Sequence, residues 1–306
     1  MRIVLAFLFC AVVALPAWGA GFTGRVDGGV LAVTKADNLW GRGKNHIDSI
    51  HAKPKTVTHL YPIALIDLRY RAEGSANEFF LSTPPDEAGS VALGLKRTLG
   101  FGTATGALFY QFAGRVWENP YVTDREDTDN RIYGVRLGIE DMGPARIGIT
   151  YRATLNDVDR DLIGDLSPDL ERDGSTHRLT LSGKIGASRE ITVTPSVSYE
   201  RGAAEGESNR YHSGEARLSV GWRKGDLSLS GRVSGSYAGY DAVHPIYDQT
   251  RKEWGYGAGV TASASNVAGL RNVSATLGVI WEQTLANIDF FGTRSTLAFG
   301  TIGYSF

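Results

Sequence analysis

The chain has 306 residues, with 32 Lys+Arg against 33 Asp+Glu and a formal net charge of −1. A nucleic-acid binder would normally be basic, so this balance argues against one. Glycine is abundant at 38 and methionine nearly absent at 2, and leucine-rich helical runs are missing, which argues against a helical bundle.

The first residues read as an export signal. Arg2 is a short positive segment, residues 3–15 are apolar, Pro16 breaks the run, and Ala17, Gly19 and Ala20 offer small residues for cleavage. The apolar run is shorter than the roughly 20 residues a spanning helix needs. Residues 1–20 are therefore expected to be a cleaved signal peptide and 21–306 the mature domain. The single cysteine, Cys10, falls in the apolar run. The mature chain is then expected to hold no disulfide, no Cys-ligated zinc and no Cys nucleophile.

Past residue 20 the dominant pattern has period two. In residues 191–200, Ile191, Val193, Pro195, Val197 and Tyr199 alternate with Thr192, Thr194, Ser196, Ser198 and Glu200. Residues 227–237 and 272–281 repeat the pattern, the first with Leu227, Leu229, Val233 and Tyr237 on one face. Several such segments run about 10–15 residues, longer than the ~5–6 typical of globular sheets and long enough to cross a bilayer. Tight connections are predicted near 73–77, 99–102, 141–144, 187–190, 224–226 and 265–271. They alternate with longer ones near 37–59, 84–89, 118–128, 156–174, 202–208, 241–250 and 286–292. This schedule predicts an all-β, antiparallel transmembrane β-barrel of about 14 strands, with 12 as the alternative count and both termini on the periplasmic side.

The chain end supports the same reading. Ile302, Tyr304 and Phe306 alternate on one face and resemble the C-terminal signal read by the outer-membrane barrel-assembly machinery. Trp222, Tyr199, Tyr237, Trp254, Tyr256, Trp281 and Tyr304 sit near strand ends, where amphipathic rings settle at lipid headgroups. Pro62 and Pro195 interrupt the pattern and predict a bulge or a strand end.

Short motifs near the start carry a family resemblance: Gly21-Phe22-Thr23-Gly24, Ala36-Asp37-Asn38-Leu39 and Asp48-Ser49-Ile50, followed by Asp67-Leu68-Arg69-Tyr70 and Leu81-Ser82-Thr83-Pro84. The chain resembles an uncharacterised, porin-like Gram-negative family known only as a domain of unknown function. The resemblance implies an outer-membrane barrel over nearly the whole mature chain and transfers no active-site residue.

The predicted lumen face is rich in arginine. Arg69, Arg115, Arg136, Arg152, Arg178, Arg217 and Arg232 are expected inside, with Asp67, Glu140, Glu200 and Glu282 as the acids. Basic rings in a pore favour anions; the competing reading is that these charges pair across strands and merely solvate the wall. Asp157, Asp159 and Asp161 alternate in an acidic loop as calcium ligands can, but without the glycine and final glutamate of an EF-hand in register, so a solvated outer loop is the favoured reading. His212 and His244 lie near Ser213 and Asp241 without a spacing that specifies a catalytic triad. Gly255 to Gly259 mimics a phosphate loop but falls in a strand.

The sequence therefore predicts a non-enzymatic, cofactor-free, porin-like channel in the outer membrane of a Gram-negative bacterium. It would pass small hydrophilic solutes, with anionic ones favoured by the lumen. The alternative is a non-conducting structural or surface-interaction barrel; a barrel enzyme is the third reading. Expected partners are outer-membrane lipid and lipopolysaccharide, the assembly machinery and small solutes, with no nucleic acid and a monomeric state. The loop at 37–59, with Trp40, Lys44, Lys53 and Lys55, is long enough to constrict the entrance.

Overall fold

The computed structural model describes residues 21–84, 89–112, 114–186 and 188–306. The predicted signal peptide lies outside the described residues. The chain forms a closed ring of fourteen antiparallel strands. In chain order these are β1 (Phe22–Ala36), β2 (Thr56–Tyr70), β3 (Asn77–Ser82), β4 (Ser90–Leu99), β5 (Gly102–Gln111), β6 (Asp127–Met142) and β7 (Ile147–Val158). They continue as β8 (Gly174–Ser182), β9 (Ile191–Ala204), β10 (Tyr211–Lys224), β11 (Leu227–His244), β12 (Gln249–Ser265), β13 (Val273–Ala286) and β14 (Thr293–Ser305). Two short pieces, Arg115–Trp117 and Ile185–Gly186, prolong β5 and β8 against the next strands.

Each strand pairs with its neighbour in sequence, and β14 pairs with β1 from Arg25↔Ser305 to Ala36↔Arg294. Phe306 completes this seam: Gly24 and Phe306 exchange two backbone hydrogen bonds of 2.9 Å. This closure joins the first and last strands, so neither is left as a free edge. Six short connections share one end of the barrel with Gly21 and Phe306; the seven other connections share the opposite end. The fourteen-strand count is borne out and twelve is not.

Several local expectations shift. The connection predicted at 241–250 is a four-residue turn on a longer hairpin, because β11 runs to His244 and β12 starts at Gln249. Neither Pro62 nor Pro195 makes a bulge or ends its strand, since the β1–β2 and β9–β10 registers run through both. Above Asp67, β2 is paired as a strand only with β1, so Pro62 lies on an edge-like stretch where its missing N–H is tolerated. Opposite Pro195, β8 breaks between Ser182 and Ile185, and the Pro195 carbonyl accepts from Gly183 N at 3.1 Å.

The alternation sorts side chains onto the two sides of the wall. Leu60, Leu277 and Ile302 are 71%, 68% and 68% exposed, and Leu93, Leu108, Leu137, Leu218, Val233 and Val260 share that outer side. A water-soluble barrel would turn these residues inward. A wall that shows its large aliphatics outward and its Thr, Ser, Arg and Glu inward is built for lipid.

Candidate functional site

Most of the predicted lumen charges do face inward, opposite the exposed aliphatics, and many are paired. Arg25 binds Asp27 (2.6 Å), and Arg69 binds Asp67 (2.7 Å) and approaches Glu78 (3.7 Å). Arg178 reaches Glu215 and Glu200, Arg217 reaches Glu215 (2.7 Å), and Arg232 lies 3.7 Å from Glu282. Glu140 pairs in register with Thr103.

Arg115 is a correction. It pairs with Asp129 in register and binds Asp127 and Asp129 at 2.5 and 2.6 Å. Asp129 lies on the same strand face as the exposed Tyr133, so Arg115 faces outward. The ladder takes up one extra residue between Gln111 and Arg115, and a one-residue insertion flips every later side chain.

Arg136, Arg152 and Arg178 meet in a way the sequence order does not show. Arg136 is directly opposite Arg152, and Arg152 directly opposite Arg178, so three arginines form one row across β6, β7 and β8. Glu200 continues the row on β9. Arg152 also lies over the Phe109 ring, 4.7 Å from its centroid. On the same inner face, Gly138, Thr150 and Thr180 line the row on one side, and Gly134, Thr154 and Thr176 on the other. Directly opposed like charges destabilise a sheet, and the carboxylates of Glu200 and Glu215 offset this at the Arg178 end of the row.

The acidic loop does not assemble its three carboxylates. Asp157 and Asp159 both turn to Arg131, at 3.6 and 2.6 Å. Asp161 caps the short helix α1 (Leu162–Leu166) through Gly164 N and binds Arg172 at 2.5 Å. Each carboxylate thus has a cation partner, and among the described residues no group of three or more His, Cys, Asp or Glu side chains is placed to hold a metal.

The loops at the far end interlock. Ile47, Ile288, Phe290 and Phe291 form a buried apolar cluster, flanked by Leu39, Tyr121 and Tyr247. Asn38 Nδ2 donates to the Phe290 carbonyl at 3.2 Å, and Tyr247 Oη donates to the Ile50 carbonyl at 2.9 Å. Arg125 donates to the carbonyls of Asn38 (2.8 Å) and Lys44. Its burial pulls the guanidinium pKa down to about 10 against the opposing pull of Asp37. Burial likewise pushes the Tyr121 hydroxyl well above its ordinary value. Arg172 carries the network onward by donating to the carbonyls of Trp117 (2.7 Å) and Glu118 (3.2 Å). Asn209 Nδ2 then donates to the Leu170 carbonyl at 2.8 Å.

The loop at 37–55 is therefore one member of a clasp rather than a lone constriction. Of this clasp the sequence showed the loop itself and its basic residues, not the partners. The apolar Phe290-Phe291 pair inside a polar connection was the available signal. The two candidate histidines separate: His212 is exposed on the outer wall, while His244 is buried with Tyr121 Oη 3.0 Å from its Nε2. Gly255 to Gly259 lie within β12, as expected.

Solved structures with a similar course are outer-membrane proteins of low identity. The outer membrane channel DcaP of Acinetobacter baumannii is 10% identical over 94% of this chain and 99% of its own, with a TM-score of 0.42. The toluene transporter TodX of Pseudomonas putida is 10% identical over 97% and 93%, with a TM-score of 0.47. A FadL homologue of Pseudomonas aeruginosa is 10% identical over 94% and 90%, with a TM-score of 0.45. No curated protein matches the sequence. A family description does match, over residues 21–305, the span of the whole barrel: the chain belongs to the family described as Protein of unknown function (DUF2860).

Proposed function

We propose that this barrel is a porin-like channel of the outer membrane that passes small hydrophilic solutes and prefers anions. The observation that carries the reading is the row Arg136–Arg152–Arg178, near mid-height on the inner wall. Guanidinium forks bind carboxylate and phosphate oxygens in pairs, and a basic ring favours anion passage. Residues 1–20 would direct export, and Ile302, Tyr304 and Phe306 would present the assembly signal. Both termini would lie in the periplasm, with the clasped loops outside. A monomer with no cofactor and no catalytic role completes the proposal.

A specific observation favours a second reading, a barrel that does not conduct and instead offers its loops as a surface. The clasp around Phe290 joins connections from distant parts of the chain. Planar-bilayer recording under a salt gradient separates the two. A channel gives discrete current steps and a reversal potential of anion sign, whereas a permanently clasped barrel gives no steps.

A further inference from the structure

A basic row runs around the outer wall directly above an aromatic one. On the lipid-facing side of β7 to β12, Tyr151, Leu179, Tyr199, Gly214, Tyr237 and Trp254 are consecutive register partners. Two residues nearer the loops on β8 to β12, His177, Arg201, His212, Gly239 and Lys252 are also consecutive partners on that side. The two rows are stitched together, with Tyr151 Oη 2.8 Å from His177 Nδ1 and Tyr199 Oη hydrogen-bonded to His212 Nδ1. Arg201 is held by Asp241 at 2.6 Å, the same carboxylate lies 3.8 Å from His212 Nε2, and Arg201 Nη1 is buried without a hydrogen-bond partner.

Aromatic rings of this kind settle at the level of lipid headgroups. Two residues further along a strand tilted near 45° lie about 5 Å farther from the bilayer centre, the level of headgroup phosphates. Four of the five positions in the upper row carry nitrogen donors, and Gly239 leaves a gap in the row beside Lys252. Lys252 and Arg201 at that depth are complementary to anionic lipid, the two histidines add ring nitrogens beside them, and an arginine fork suits a phosphate monoester.

We infer that the upper row is a binding site for the phosphorylated headgroup of lipopolysaccharide, with Arg201 and Lys252 as its principal cations. The inference rests on the proposed orientation, which places the clasped loops and this row at the outer leaflet. It is independent of whether the barrel conducts.

The test uses the mature barrel in a neutral detergent, with bisphosphorylated lipid A and its dephosphorylated form as probes and thermophoresis as the readout. The expected result is binding of the bisphosphorylated form, weakened roughly fivefold in K252Q and at least as much in R201Q, and weak binding of the dephosphorylated form throughout. Lys252 has no ion pair among the described residues, so K252Q carries the test if R201Q fails to fold. Binding unchanged in K252Q, or equal binding of the dephosphorylated probe, overturns the site. Equally tight binding of phosphatidylglycerol, with the same dependence on Lys252, overturns its assignment to lipopolysaccharide. Biotinylation of Lys53 in intact cells tests the orientation alone: labelling supports it, and protection of Lys53 until the cells are lysed overturns the outer-leaflet placement. Conductance is the separate readout, since its absence sinks the channel and leaves this site standing.

Discussion

Replacing Phe290 with Ala should open the loop clasp without unfolding the barrel. Phe290 is fully buried, and its ring centroid lies 5.3 Å from Phe291, 5.2 Å from Tyr121 and 5.9 Å from Tyr247. Truncating a buried Phe to Ala costs about 3–5 kcal/mol. Phe290 lies between β13 and β14, outside both ladders, so the cost falls on the clasp rather than on the wall. Taking the lower figure, the ratio of open to clasped loops rises on the order of 100-fold. Single-channel recording of F290A should show a much higher open probability than wild type, with the same unit conductance. Limited trypsin digestion should cut the loop at 37–55 faster, while the heat-induced mobility shift of the barrel on electrophoresis stays unchanged. Wild-type gating together with a wild-type digestion pattern would show that the clasp does not control the mouth.

Other consequences follow from the same geometry. Arg172→Ala removes the partner of a largely buried Asp161, a loss of about 3–5 kcal/mol, and amide hydrogen exchange should rise in residues 159–173 but not in the flanking strands. Gly29→Val should block closure of the seam, because a Cβ at Gly29 would stand 2.0 Å from the Gly300 carbonyl oxygen; the heat-modifiable, folded fraction is expected to fall. Deleting Phe306 removes its two hydrogen bonds with Gly24 and should lower the yield of assembled barrel in membranes, and full yield would refute a role for the terminus. The double variant R136Q/R152Q should keep the barrel fold and move the reversal potential toward zero, with an unchanged potential counting against the arginine row.

The fold was legible because a strand's period of two survives in the sequence wherever lipid and lumen impose opposite demands on alternate residues. Leu227, Val233 and Tyr237 on one face and Arg232 on the other already separated the two sides. Legibility failed at Arg115, where one extra residue after Gln111 reverses the parity and no residue type announces it. The arginine row was half legible. Each of Arg136, Arg152 and Arg178 could be assigned inward, but their mutual opposition depends on the stagger of three strands, which turn lengths fix only loosely. The clasp was out of reach, because Asn38 and Phe290 meet across 252 positions of sequence and loop contacts follow no period. The partners in the acidic loop were out of reach for a related reason: ligand-like spacing says nothing about Arg131 on β6, which takes Asp157 and Asp159, or about the fold of the loop that brings Arg172 back to Asp161.

Planar-bilayer recording of the purified mature barrel across a tenfold potassium chloride gradient decides whether the inner wall lines an anion-preferring pore. Discrete conductance steps are expected, with a reversal potential of chloride sign that is reduced in R136Q/R152Q. A barrel shown to be folded that gives no steps, or steps with potassium sign, would contradict such a pore.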